Sequence, residues 1–488
     1  MMKNIVRIGL TICFFLMIGC AKDNVQLSPE QTKINTYVSR LESQGYAGAL
    51  LVAKGDQIIR STGFGLANQE KNTRNSSTTV FPIGSVTKQF TAAAIMKLQM
   101  QGKLGVNDPI LKFIPETSKD KQKITIHQLL THTAGFAGSM GDDFTPISKE
   151  QFVADAMKAP LMEQPGTAFM YSNIGYSLLG VIIENVSGQS YESFLQTYLF
   201  KPADMKHTGY IEPDWKSTTV AHGYIGDRDW STVIDRISEN GPSWYLLANG
   251  DLNSTVEDMY KWHVALQGNV ILSDEAKNAM YTPYMQENMG SASNYGYGWY
   301  LFETPRHTPL VAHNGGNKIF SADYMRFIEE DVVVIVFSNV AGKPASNISA
   351  TVARIVFHEP YDLPLDEAVV LSKSQLVDSP LGVHAIALID IYGSSDIATA
   401  ESFITEHISS SIVENFGVPK LRDMLRQDQN GIGDCTFHQA RKTSEYTLEI
   451  IVQSRKTSKW WQIRLKFDPE PPHKIISIGA NDILPPAQ

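Results

Sequence analysis

Cysteine is nearly missing from this chain: its 488 residues carry only Cys13, Cys20 and Cys435. Two of the three lie at the extreme N-terminus, so the body keeps a single thiol, which rules out a disulfide framework and a cysteine-rich zinc site. Histidine does not fill the gap. No H-E-x-x-H or H-x-H-x-D string occurs, and we expect no metal and no cofactor. Blocks of basic residues are absent and the net charge is −9, so the electrostatic footprint of a nucleic-acid binder is lacking. Repeats and low-complexity tracts are absent too. What is present is ample material for a packed core, with 43% hydrophobic and 10% aromatic residues, over a length that predicts roughly two to four domains.

The first twenty residues read as a targeting segment. Lys3 and Arg7 give a positive start, and a largely apolar stretch follows over residues 8–18. That stretch is too short for a bilayer, which takes about 20 apolar residues. It ends on Met17-Ile18-Gly19-Cys20, which resembles a bacterial lipobox, with methionine where leucine is usual. The reading implies a signal peptide over 1–20, lipidation of Cys20, and a protein tethered to the cell envelope as a periplasmic or outer-membrane lipoprotein.

Further along, residues 22–45 read as a lead-in helix with Ile34, Val38 and Leu41 on one side. Residues 48–53 and 57–63 read as a hairpin, and residues 318–328 and 332–339 as a second hairpin far away in sequence. Mostly helical sequence lies between. This pattern predicts one sheet assembled from distant segments, with a helical subdomain closing one side of a cleft. The texture changes over 358–378, expected to be a linker. A separate α+β domain is expected over 379–488, with helices in 380–428 and strands at 449–452, 460–467 and 474–478.

The chemistry begins at Ser85-Val86-Thr87-Lys88. Pro82 and Gly84 mark a turn and an apolar helix pattern follows, so Ser85 stands at a helix mouth with Lys88 one turn on, on the same face. A lysine amine held about 3 Å away activates a serine hydroxyl if burial lowers its pKa. The helix N-terminus suits a developing oxyanion. A second copy, Ser118-Lys119-Asp120-Lys121, sits in a charged stretch with no apolar helix behind it and reads as a solvated turn. Tyr171-Ser172-Asn173 precedes another apolar helix. It offers Tyr171 as a phenolate-like proton carrier, its pKa lowered by Lys88, and Asn173 as a donor to a substrate amide or as a helix cap. His313-Asn314-Gly315-Gly316 precedes the late hairpin, its glycines leaving room where substrate meets backbone. His207-Thr208-Gly209 reads as a structural loop.

Taken in order, these three motifs resemble the serine β-lactamase and penicillin-binding-protein superfamily, in particular the class C β-lactamase-like serine hydrolases. The likeness spans residues 30–357 and includes the strings THTAGF, NGDLNSTVEDMYKW and YGYGWY. It implies a β-lactamase/transpeptidase-like α/β (α+β) fold over residues 21–357, with an antiparallel sheet flanked by helices. It also implies Ser85 as nucleophile, Lys88 and Tyr171 as its activators, and Asn173, His313, Gly315 and Gly316 as substrate-binding residues. The backbone N–H groups of Ser85 and Gly316 would form the oxyanion hole.

One departure stands out: His313-Asn314-Gly315 occupies the place of the superfamily's usual Lys-Thr-Gly. A histidine is only partly charged at neutral pH, which weakens recognition of a substrate carboxylate. The resemblance then points to the esterase and peptidase branch, acting on small esters, D-amino-acid peptides or amides. β-Lactamase or D-Ala-D-Ala carboxypeptidase-like penicillin binding, and a non-catalytic scaffold lipoprotein, remain as alternatives. The C-terminal segment resembles the small cone-shaped α+β domains related to nuclear-transport-factor folds; Trp460 and Trp461 there read as core residues rather than pocket walls.

Overall fold

The computed structural model describes residues 27–237, 241–287, 292–393 and 396–486. The expected signal peptide and Cys20 lie outside these residues. No helix among them is long and apolar enough to cross a membrane.

An eight-stranded antiparallel sheet forms the centre of the larger unit. Its strands run in the order Gln57–Phe64, Gly48–Lys54, Val332–Ser338, Ser321–Phe327, Pro309–Gly316, Tyr300–Glu303, Ser293–Tyr295 and Met285–Gln286. The early hairpin thus joins the late one directly, with Leu51 opposite Ile335. Strand periodicity divides the side chains: Leu50 and Val52 face one core with Val334 and Val336, while Ala49, Leu51 and Ala53 face another with Val333 and Ile335. Helices Pro29–Ser43 and Ala345–Val356 cover the first face. The second is covered by the helical region, including Lys88–Met100, Asn173–Ser187 and Val256–Gln267. A strand buried on both sides reads as the unbroken apolar run VVVIVFS.

Helix Lys88–Met100 runs through the middle of this body. Phe90 packs on Phe200 at 5.2 Å and on Trp262 at 4.8 Å between ring centroids. The Trp262 indole N–H donates to Gln89 Oε1 at 2.8 Å, which satisfies two buried polar groups and fixes the helix in rotation. That rotation sets where Lys88 points.

Two sequence expectations change here. The late hairpin does not begin at Lys318, because Asn317 Oδ1 accepts the backbone N–H groups of Ile319 and Phe320 and makes a turn, with Lys318 at φ +71°. His313 therefore lies inside a strand, Pro309–Gly316, rather than ahead of one. Residues 364–371, expected within a linker, form strand Pro364–Leu371 at the edge of a second, five-stranded sheet. That sheet is completed by Cys435–Ser444, Thr447–Ser454, Trp460–Phe467 and Ile475–Ile483, all paired antiparallel in chain order. It encloses its own apolar cluster with the helices before it, and Trp461 packs against that cluster.

Candidate active site

Ser85 occupies a tight 3-10 turn, Gly84–Thr87, that feeds helix Lys88–Met100. Gly84 is at φ +52°, and a Cβ built on it would lie 2.2 Å from Gly316 N. A Cβ on Gly315 would lie 2.6 Å from Ser85 N. Absent side chains are therefore what let strand Pro309–Gly316 press its end against the serine turn. This brings the backbone amides of Ser85 and Gly316 to one locus, as an oxyanion hole requires.

Lys88 is fully buried, and its Nζ meets three oxygens: Ser85 Oγ at 3.0 Å, Asn173 Oδ1 at 2.8 Å and the Asn249 carbonyl at 2.8 Å. Burial pushes its pKa well below the usual lysine value, with Asp143 and Asp251 working the other way. The Nζ also stands 4.7 Å from the centroid of the Tyr171 ring. The decoy serine-lysine pair is different: Lys121 is buried rather than solvated, and its Nζ pairs with Asp120 at 2.7 Å.

The expectation of an easily ionised Tyr171 is overturned. Ser85 beside it favours the ionised form, yet burial, first, and the neighbouring Tyr300 and Tyr176 hold its pKa well above that of a free phenol. An amine biased toward its neutral form supplies no full cation to stabilise a phenolate. Asn173 is not the helix cap either; Ser172 caps, accepting the N–H of Gly175 at 3.2 Å. Asn173 opens the helix with its Oδ1 committed to Lys88.

His313 is corrected as well. It is 1% exposed, its Nδ1 donates to the Asn314 carbonyl at 2.6 Å, and its Nε2 accepts from the Tyr295 hydroxyl at 3.0 Å. Burial and Lys88 push its pKa down to about 3, so the ring is neutral and internally bonded, with no charge to offer a substrate. Beside it, His132 of the THTAGF string is equally buried. Its Nδ1 accepts the Ser172 N–H at 3.0 Å, and its ring lies 4.3 Å from that of Tyr171. The cleft floor is thus a set of neutral rings.

Two contributors escaped the sequence reading. The segment from Ala248 to Leu252 runs beside the serine turn, where Leu252 N–H donates to Thr87 Oγ1 at 3.1 Å and Ile83 N–H to the Leu252 carbonyl at 2.8 Å. Ala248 and Asp251 both adopt positive φ, +69° and +49°, strain that turns the Asn249 carbonyl toward Lys88. Asp251 is buried, with its N–H donating to the Gly84 carbonyl at 3.3 Å and its Oδ2 accepting from Asn317 Nδ2 at 3.1 Å. It ties the serine turn to the residue after Gly316. The sequence reading touched this stretch only through the string NGDLNSTVEDMYKW, which gave neither residue a role.

The Beta-lactamase family profile matches residues 34–357. Penicillin-binding protein 4* of Bacillus subtilis strain 168 is 30% identical over 359 residues, covering 70% of this chain and 78% of that protein. In fold, the chain is similar to the octameric penicillin-binding protein homologue from Pyrococcus abyssi, with a TM-score of 0.58 and 22% identity over 90% of this chain and 95% of that one. It is also similar to a β-lactamase/D-alanine carboxypeptidase from Pseudomonas syringae, with a TM-score of 0.58 and 18% identity over 68% of this chain and all of that one. With the serine turn, the lysine and the tyrosine gathered in this fold, the chain belongs to the β-lactamase family of serine hydrolases.

Proposed function

We propose that the protein hydrolyses small esters, and peptides or amides including those of D-amino acids, through an acyl-enzyme on Ser85. The observation that carries this is the buried Lys88 amine in hydrogen-bond contact with the serine hydroxyl. In acylation, Lys88 takes the Oγ proton as Oγ bonds to the substrate carbonyl carbon. The developing oxyanion accepts from the Ser85 and Gly316 amides. Tyr171 relays the proton from Lys88 to the leaving alcohol or amine as the carbon–leaving-group bond breaks. Water then attacks the ester, gives its proton to the same relay, and frees Ser85. Asn173 holds Lys88 through Oδ1 and turns its amide NH2 to the acyl side of the substrate.

Penicillin binding or D-Ala-D-Ala carboxypeptidase action is the second reading, favoured by the names of the relatives. The neutral, enclosed His313 favours the ester and peptide reading, since a lactam or terminal carboxylate meets no cation there. A non-catalytic scaffold is disfavoured by the intact Ser85, Lys88, Tyr171 and Asn173 set. We also propose, from the sequence alone, attachment to the bacterial cell envelope through a lipidated Cys20; a Cys20→Ala chain that still partitions with membranes would exclude it.

Labelling by a fluorophosphonate probe tests the main reading. Wild type is expected to label and Ser85→Ala to stay blank, while equal behaviour of the two refutes Ser85 as nucleophile. A fluorescent penicillin run in parallel separates the branches, with stoichiometric labelling supporting the second reading.

A further inference from the structure

The last strand of the C-terminal sheet, Ile475–Ile483, ends against the turn that follows Gly316. Asp482 Oδ2 stands 3.1 Å from the Nζ of Lys318, two residues beyond Gly316. Leu484, just past the strand, is half-buried and packs against the apolar cluster of the catalytic body, to which Ile319 and Phe320 belong.

That turn leaves Gly316 little slack. The Asn317 N–H donates to the Phe320 carbonyl at 3.2 Å, and Asn317 Nδ2 donates to Asp251. A Cβ on Gly316 would lie 2.8 Å from the Phe320 carbonyl oxygen. A displacement of residues 317–320 therefore carries the Gly316 amide with it.

A second path reaches the same turn. In the loop after Val332–Ser338, Lys343 points its Nζ at Glu449 of the C-terminal sheet, 4.0 Å away, and Gln462 Oε1 lies 3.4 Å from where Gly342 would carry a Cβ. The same loop holds strand Gly223–Ile225, since Ala341 N–H donates to the Tyr224 carbonyl at 2.8 Å. Gly223 in turn has no room for a side chain: its Cβ would fall 2.5 Å from Ile319 Cγ2 and 2.8 Å from the Phe320 ring. The C-terminal sheet thus bears on Ile319 and Phe320 from two directions.

A half-exposed ion pair adds little to stability. Catalysis is the more sensitive quantity, because an ångström of misplacement costs up to about 10²-fold in rate. We propose that the C-terminal domain positions the active site, with Asp482 and Leu484 bracing the turn over residues 317–320 and so holding the Gly316 amide toward the developing oxyanion. Both are positioning residues and touch no reacting atom. The inference rests on the reading of Ser85 as nucleophile and Gly316 as oxyanion donor.

The test compares kcat and KM for p-nitrophenyl acetate in the full chain and its variants, with Ser85→Ala as the blank. Asp482→Lys sets two like charges together and is expected to lower kcat about 3–5-fold with KM unchanged. Adding Lys318→Asp reverses the pair, and the double variant should return to within about twofold of wild type; aspartate tolerates the left-handed backbone of position 318. Leu484→Ser should cost about tenfold in kcat and slow fluorophosphonate labelling of Ser85 in step, while Leu484→Met, which keeps the packing, should hold the wild-type rate. A loss confined to KM, a double variant no faster than Asp482→Lys, or full kcat in both Asp482→Lys and Leu484→Ser overturns the proposal. Turnover that survives in Ser85→Ala overturns the underlying reading instead, and the proposal with it.

Discussion

The Lys88 amine stands 3.0 Å from the Ser85 hydroxyl, and its other two neighbours, Asn173 Oδ1 and the Asn249 carbonyl, can only accept hydrogen bonds. A neutral amine has two N–H bonds and one lone pair. With both N–H bonds drawn to those fixed acceptors, the lone pair is left facing the serine proton. Burial supplies the neutral form, and the acceptors supply its direction.

That arrangement fixes what substitution at Lys88 does. Arginine is always charged and cannot give up a proton, and methionine has no base at all. Both Lys88→Arg and Lys88→Met are expected to lower kcat/KM for p-nitrophenyl acetate by about 10³ or more. An arginine variant keeping a tenth of wild-type activity would disprove the assignment of Lys88 as base.

Asp251 links Gly84 to Asn317, hence one half of the oxyanion hole to the other. Asp251→Ala should therefore depress kcat about 10²-fold with KM little changed, by the scale of a lost oxyanion donor. Asp251→Asn, whose amide oxygen still accepts from Asn317, should recover most of the rate. Equal loss in both variants would mean that charge, not positioning, is the role of Asp251.

Gly84 and Gly315 have no room for a methyl group, as their would-be Cβ atoms fall 2.2 Å from Gly316 N and from the Ile83 carbonyl oxygen. Gly315→Ala is expected to cost about 1–3 kcal/mol in urea unfolding and to remove nearly all turnover. A stable, active alanine variant would show that the strand does not abut the serine turn.

His313 ties stability to pH. Its folded pKa of about 3 lies below the unfolded value near 6.5, so the neutral ring stabilises the fold fully above about pH 7. That contribution is lost as pH falls through 6.5 toward 3, by about 2 kcal/mol between pH 7 and pH 5. Asp251 and Asp323, raised by burial to about 6, act oppositely: their contribution is largest below their unfolded value near 4 and fades as pH rises through 6. Subtracting the urea stability curves of wild type and His313→Gln isolates the histidine, and a difference that does not change with pH would refute its buried neutral state.

Ser85 and Lys88 were legible because three residues along a helix is a local relation, set by the backbone. Tyr171, Asn173 and His313 were legible only as motifs in order. What each does there depends on groups that arrive from elsewhere: Tyr295 and Tyr300 enclose His313, and burial, with Tyr300 and Tyr176 alongside, raises the pKa of Tyr171. The third partner of Lys88 is a backbone carbonyl, a group every residue has, so no side-chain pattern could mark Asn249 for that role. Strands Met285–Gln286 and Ser293–Tyr295 are too short for alternation to register. Cys435–Ser444 hides its pairing behind a largely polar sequence.

Arg40 Nη1 in the first helix donates to the Pro364 carbonyl at 2.9 Å, joining residues 324 positions apart. On a ribosome adding roughly 5–20 residues each second, the first helix waits on the order of half a minute for the strand it will hold. The early hairpin waits almost as long for Val332–Ser338, its neighbour in the sheet. Until then its apolar edge is bare, and chaperones have that interval in which to shield it.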